Sequence, residues 1–127
     1  MLGQARSEHG QATVELALCL PILAVLIALL VEAGGLATDH VRLWHAAREA
    51  ARVAVVEPDV SQARSAAQRA GLDGIEITIE PATDARVRGE PLTATVLYRP
   101  AGRVPLVGRL LTGIVMRAQA TMRIERP

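Results

Sequence analysis

A single carboxylate, Glu15, stands directly before sixteen uncharged residues, Leu16 to Val31, and lies five positions after Gly10. A charged side chain against an apolar, membrane-length run is costly unless an opposite charge nearby offsets the loss of water. Glu15 could therefore form an ion pair at the end of this run. It could also lie at the positive N-terminal end of a helix and reach water by snorkelling.

The other chemically reactive side chains form no catalytic or metal-binding pattern. His40 and His45 are five residues apart, about 140° around a helix, so they do not share a face as an i,i+4 metal pair would. Cys19 lies inside the apolar run with no polar neighbour to activate its thiol. The sequence has no nucleophile–base constellation and no phosphate-binding glycine loop. We therefore expect no enzymatic activity, no metal or other cofactor and no small-molecule substrate.

Length and composition favour one small domain attached to a membrane anchor. The chain has 127 residues, half of them hydrophobic, yet it has no Phe, one Trp and one Tyr. Aromatic side chains supply much of the buried area in compact soluble cores, so their scarcity suits a membrane helix and an Ala-rich domain. The net charge of +1 gives no reason to expect a nucleic-acid partner.

The apolar run is long enough for one membrane crossing if the flanking acids lie at the two interfaces. The 17 residues from Glu15 to Glu32 span about 25 Å as a helix, close to a hydrocarbon core of about 30 Å. From Thr38 good or neutral helix formers continue to Pro58, which predicts one helix over about residues 12–56. Its extramembrane half has a broad apolar side that contains Val41, Trp44, Ala47 (or His45), Ala51 and Val55.

A second helix and a sheet are predicted after this point. Asp59 is a candidate N-cap, Gln62 three residues later fits a capping box, and Gly71 fits the C-terminal stop. After Gly74 the apolar period changes to two in the segments IEITIE, LTATVLY and IVMRAQATMRIE. Three strands with one polar face each imply an antiparallel sheet packed on the helices, an α+β fold.

The connection before the last strand, RVPLVGRLLTG, is unusually apolar. Two interpretations remain open for its large side chains: they cap the sheet, or they form a contact surface for a neighbouring subunit. The side chains concerned are Leu106, Val107, Leu110 and Leu111.

The segment GQATVELALCLPILAVLIALLVEAGG, followed by AAREAARVAVV, resembles the TadE-like pseudopilins of tight-adherence (Tad) type IV pilus systems, most strongly over residues 10–56. In that family a prepilin peptidase cuts after a leader glycine, and the fifth mature residue is glutamate. The resemblance implies a cut between Gly10 and Gln11, which makes Glu15 the fifth residue. Gln11 differs from the aromatic or aliphatic first residue common in pilins. The new α-amino group on Gln11 would supply the charge that Glu15 needs, on the same helix or on a neighbouring subunit.

The resemblance also implies an organisation and a set of partners. Residues 1–10 would be a leader, 11–37 a transmembrane helix segment, and 38–127 a small extracytoplasmic α+β domain. The chain would cross the cytoplasmic membrane once, with its N-terminus on the cytoplasmic side. Its partners would be the peptidase and other pilins or Tad assembly proteins, and its role would be that of a minor pilin or pseudopilin in a Tad-type pilus or secretion apparatus.

Three other interpretations of the sequence differ in the mature N-terminus or in chemistry. One is a single-pass anchored binding module that no prepilin peptidase cleaves. Another is a secreted protein whose apolar run is a signal peptide, with small residues at Ala33–Gly35 as its cleavage region. An enzyme is the third, and it lacks a catalytic constellation.

Overall fold

A 51-residue helix forms the spine of the structure, a computed structural model that describes residues 4–125. The expected α+β architecture of a long N-terminal helix, a short second helix and a three-stranded antiparallel sheet is confirmed. The main elements are α1 (Gln4–Ala54), α2 (Val60–Gln68), β1 (Glu76–Glu80), β2 (Pro91–Tyr98), the one-turn helix α3 (Pro105–Gly108) and β3 (Met116–Arg123). Short 3-10 turns occupy Thr83–Ala85 and Arg109–Leu111.

Helix α1 begins earlier than predicted, at Gln4 rather than near residue 12. The residues before Gly10 are mostly good or neutral helix formers, and one glycine costs a helix only about 1 kcal/mol. The helix ends before Pro58, where the buried Arg86 covers its C-terminus. The Arg86 Nη1 donates to the Ala54 carbonyl at 3.1 Å, which satisfies a carbonyl that has no partner within the helix.

Small side chains bring α1 and the sheet together. The buried side of α1 and the inner face of the sheet form one core from Leu43, Ala46, Ala47, Ala50, Ala51, Ala94, Val96 and Ala118. The predicted apolar side of α1 is therefore only partly right, because Val41 and Trp44 are exposed. Alanine allows the close backbone approach that a Trp on this side would prevent. The Trp44 indole instead donates to His40 Nε2 at 3.1 Å on the surface.

The predicted alternation is confirmed within the three strands, but Ile114 and Val115 of the third predicted segment lie outside β3 and are exposed. The sheet has the order β1-β2-β3, and its registers pair Ile77 with Val96 and Val96 with Ala118 on the inner face. The outer face is polar, where the Thr93 and Thr121 hydroxyls lie 2.8 Å apart. A sheet with one dry and one wet face follows directly from this alternation.

Helix α2 has the predicted cap with a different partner. The Asp59 carboxylate accepts from the Ser61 backbone N–H at 2.8 Å and from the Ser61 hydroxyl at 2.7 Å, not from Gln62 as a capping box requires. These two bonds lower the pKa of Asp59. Gly71, with φ of +78°, follows the end of the helix as predicted, because this backbone conformation favours glycine.

Candidate functional site

The N-terminal part of α1 carries the predicted anchor. Residues 10–27 are all exposed, although half of them carry large apolar side chains. Among the residues that the structure describes, α1 is the one helix long and apolar enough to cross a membrane. Its bare apolar surface fits a lipid environment better than water.

The predicted processing and assembly residues lie together on the first turns of this helix. Gly10 is exposed, and a methyl group added to it would meet no other atom within 4 Å. The Gln11 side chain donates its Nε2 to Glu15 Oε1 at 3.2 Å, so the helix places these two residues one turn apart on one face. Peptide cleavage after Gly10 and docking through Glu15 stay predictions.

A second cluster of charged residues lies near the other end of the apolar run. Glu32 is only 2% exposed, and its carboxylate accepts three bonds from the backbone N–H groups of Arg103 and Val104, at 3.0 to 3.1 Å. Bonds from N–H groups to an ionised carboxylate are stronger than neutral ones and satisfy its lone pairs without water. The connection between β2 and β3 is thereby attached to α1 at the end of the apolar run.

Two turns further along α1, Asp39 joins the same cluster. It is 1% exposed, and its Oδ1 accepts from Arg103 Nη2 at 2.8 Å. Burial and, after it, the charge of Asp39 raise the pKa of the neighbouring Tyr98 hydroxyl. Arg103 thus holds Glu32 through its backbone and Asp39 through its guanidinium.

Gly35 gives Arg103 the space for this double contact. The Arg103 side chain crosses α1 directly over Gly35, so a Cβ there would lie 2.8 Å from Arg103 Cδ and closer still to its guanidinium. The preceding Gly34 has open space around it. One of the two adjacent glycines is therefore required by packing, and the other is not.

Sequence reasoning missed this cluster, because it treated Glu32 as an interface residue. The available signal was spacing, since Glu32 and Asp39 are seven residues apart and share the face that continues with Leu43. Their partner, Arg103, is 71 and 64 residues away in sequence, so no local pattern identifies it.

The idea that the apolar connection caps the sheet is wrong. Val107 and Leu111 instead lie against α1, where they line an apolar groove with Leu29, Ala33 and Leu36. Leu106 and Leu110 face outward and are 82% and 79% exposed. The other interpretation, a contact surface, remains compatible with this exposure.

Comparison with known protein families gives one match, and it lies within the long helix α1. Residues 10–52 match the model of a protein family described as TadE-like protein. Over this segment the chain is similar to TadE-like proteins. No curated protein and no solved structure matches the chain. The TadE-like segment begins at Gly10 and contains Glu15, Glu32 and Asp39, whereas Arg103 and the sheet lie outside it.

Proposed function

We propose that this chain is a non-enzymatic minor pilin or pseudopilin that acts in the assembly of a Tad-type pilus or secretion apparatus. Its N-terminus faces the cytoplasm, α1 crosses the cytoplasmic membrane once, and the sheet domain is extracytoplasmic. A prepilin peptidase removes residues 1–10. The observation that carries the proposal is a TadE-like match that begins at Gly10 on an exposed apolar helix, with Glu15 one turn after Gln11.

Cleavage after Gly10 changes the charge around Glu15. In the uncut chain the Glu15 carboxylate accepts from the neutral Gln11 amide. A cut leaves a positive α-amino group on Gln11, and helical side chains point towards the N-terminus, so Glu15 is directed to that end of its own helix. In an assembly the same carboxylate can pair with the amine of a neighbouring subunit. Such a pair would set the axial register between packed helices, since neither charge is stable alone in lipid.

The mature N-terminus is the decisive measurement. We expect the intact mass of protein extracted from membranes to correspond to a chain that starts at Gln11. An unprocessed chain would favour the uncleaved anchored binding module. Loss of about 35 residues would indicate ordinary secretion through a signal peptide and would overturn the proposal.

Gly10→Ala should slow this processing while the anchor stays folded. Helix α1 accepts a methyl group at Gly10 without a contact, so reduced processing would report recognition by the peptidase and not a structural defect. Gly34→Ala is the matched control, because Gly34 lies on the same helix with equally open space. Equal processing of both variants and the unaltered chain would show that Gly10 is not recognised.

Glu15→Gln should leave membrane insertion and cleavage intact but reduce association. Glutamine is cheaper than a carboxylate in lipid, so the anchor is not weakened, whereas the ion pair with a neighbour's amine is lost. Cross-linking between copies or with other pilins, at equal amounts of processed protein, should fall, and Glu15→Asp should give an intermediate value. If Glu15 only favours the helix N-terminus, the change costs up to about 1 kcal/mol and assembly persists.

A further inference from the structure

We propose that residues 105–111 form a second membrane contact: the exposed Leu106 and Leu110 insert into the outer leaflet of the bilayer that α1 crosses. The inference rests on the proposed membrane anchoring of α1. Leu106 and Leu110 are more exposed than any other large hydrophobic side chain that the structure describes, including those of the apolar run itself. They are four residues apart and stand on the outer side of α3 and the 3-10 turn that follows it.

The position of the segment along α1 sets its depth. Its inner side chains, Val107 and Leu111, line a groove with Leu29 and Leu36. At 1.5 Å per residue, Leu29 lies about 20 Å and Leu36 about 30 Å beyond Leu16, the first residue of the apolar run. A hydrocarbon core is about 30 Å thick, so the segment lies beside the last third of the crossing. Leu106 and Leu110 therefore extend the lipid-exposed surface of α1 sideways at that level.

Hydrogen bonds to Glu32 hold the segment at this depth, and the same bonds reduce the cost of placing polar groups near hydrocarbon. A carboxylate such as Glu32 is costly near hydrocarbon, and a loop with unpaired backbone groups is costly there too. Here both costs are reduced together, because the Glu32 carboxylate accepts hydrogen bonds from the backbone N–H groups of Arg103 and Val104. Val104 is the N-cap residue of α3, so this bond fixes the start of the inserted turn.

Close backbone contact keeps the turn compact. A Cβ on Gly102 would collide with the Gly108 backbone, and a Cβ on Gly108 would lie 2.6 Å from Gly102 Cα. The Gly108 N–H donates to the Val104 carbonyl at 2.6 Å. The leucines therefore stand on a short, closed structure and not on an extended loop.

Charge also favours a lipid surface. Residues 99–113 contain three arginines and no acid. Arg99 pairs with Glu76 and Arg103 with Asp39, which leaves the exposed Arg109 between the two leucines. An arginine beside inserted leucines can extend its guanidinium to lipid phosphates, the arrangement typical of interfacial segments.

Labels that report membrane depth test the inference in the full chain. In a Cys19→Ser background, the variants Leu106→Cys and Leu110→Cys each receive a polarity-sensitive fluorophore, and the protein is reconstituted in vesicles of phosphatidylethanolamine with a minority of phosphatidylglycerol. Leu23→Cys, in the middle of the apolar run, is the lipid control, and Gln119→Cys, on the wet face of the sheet, is the water control. Quenchers attached to lipid tails and aqueous iodide then report the surroundings of each label.

We expect lipid-borne quenchers to act on positions 106 and 110 nearly as strongly as on position 23, and several-fold more strongly than on position 119. Iodide access at positions 106 and 110, with position 23 protected, would overturn this inference but leave the membrane anchoring of α1 intact. Iodide access at position 23 would overturn the membrane anchoring and the inference with it. Protection at 106 and 110 that disappears on dilution with lipid would identify a second copy as the occupant and would also overturn it.

Discussion

Ala118→Asp should lower the free energy of unfolding by about 4 kcal/mol, the cost typical of an unpaired charge placed in a core. Ala118 is 1% exposed, lies opposite Val96 in the sheet and faces the alanines of α1. Among the residues that the structure describes, no basic side chain belongs to this core, and Ala118 itself is closed off from water. The new group must therefore stay protonated or open the contact between the sheet and α1.

Gln119→Asp is the matched control for this change. Gln119 is the next residue of β3, points to the wet face and donates to the Thr95 hydroxyl at 3.1 Å. Its replacement should cost about 1 kcal/mol, through one exposed hydrogen bond and a lower strand propensity. Thermal unfolding of the full chain in detergent micelles, followed by the sheet signal in circular dichroism, measures both variants. Equal losses would contradict the assignment of the two faces.

Arg103→Met should lower the free energy of unfolding by about 3 kcal/mol, because it leaves the buried carboxylate of Asp39 without its partner. The value lies at the low end of the range for buried pairs, since the Arg103 side chain is itself 37% exposed. Asp39→Asn in the same chain should recover part of the loss by removing the unpaired charge. A double-mutant cycle over these two positions measures the interaction directly. A coupling near zero would show that the pair contributes nothing to stability.

Gly35→Ala tests the same contact without removing a charge. Its methyl group occupies the space that the Arg103 side chain crosses, so the guanidinium must leave Asp39 or the connection must shift. Gly34→Ala adds the same methyl one residue earlier in open space and should gain up to about 1 kcal/mol from helix propensity. Hydrogen exchange at the Arg103 and Val104 amides should therefore quicken in Gly35→Ala and not in Gly34→Ala.

Local patterns in the sequence were sufficient to predict the helices and strands. The three strands, their inner faces and the Asp59 cap all follow from spacings within a dozen residues, and the structure confirms them. The faces of α1 were harder, because hydrophobicity favours Val41 and Trp44 whereas the sheet requires alanine at close range. Which apolar side is buried depends on the shape of the partner, and that shape is not a local property.

The charged cluster at Glu32 could not be predicted from local patterns, for a different reason. An acid after an apolar run predicts an interface residue, and nothing near it indicates that backbone N–H groups from residues 103 and 104 satisfy it. The seven-residue spacing to Asp39 identifies a face but not its partner. Gly10, Gln11 and Glu15 were found by resemblance, and the helix brings Gln11 and Glu15 into contact as their spacing requires.

The attachment of the connection at Glu32 and Asp39 has a mechanical consequence. Two adjacent glycines between the anchor and the sheet domain would ordinarily form a compliant joint, but Arg103 bridges α1 on both sides of Gly35. Bending or twisting at this point must break the hydrogen bonds to Glu32 and the ion pair with Asp39, so the sheet and the outer end of the apolar helix resist separate movement. A force that lifts or turns the domain is therefore transmitted along α1 across the two glycines, and the orientation of the sheet is coupled to that of the apolar helix.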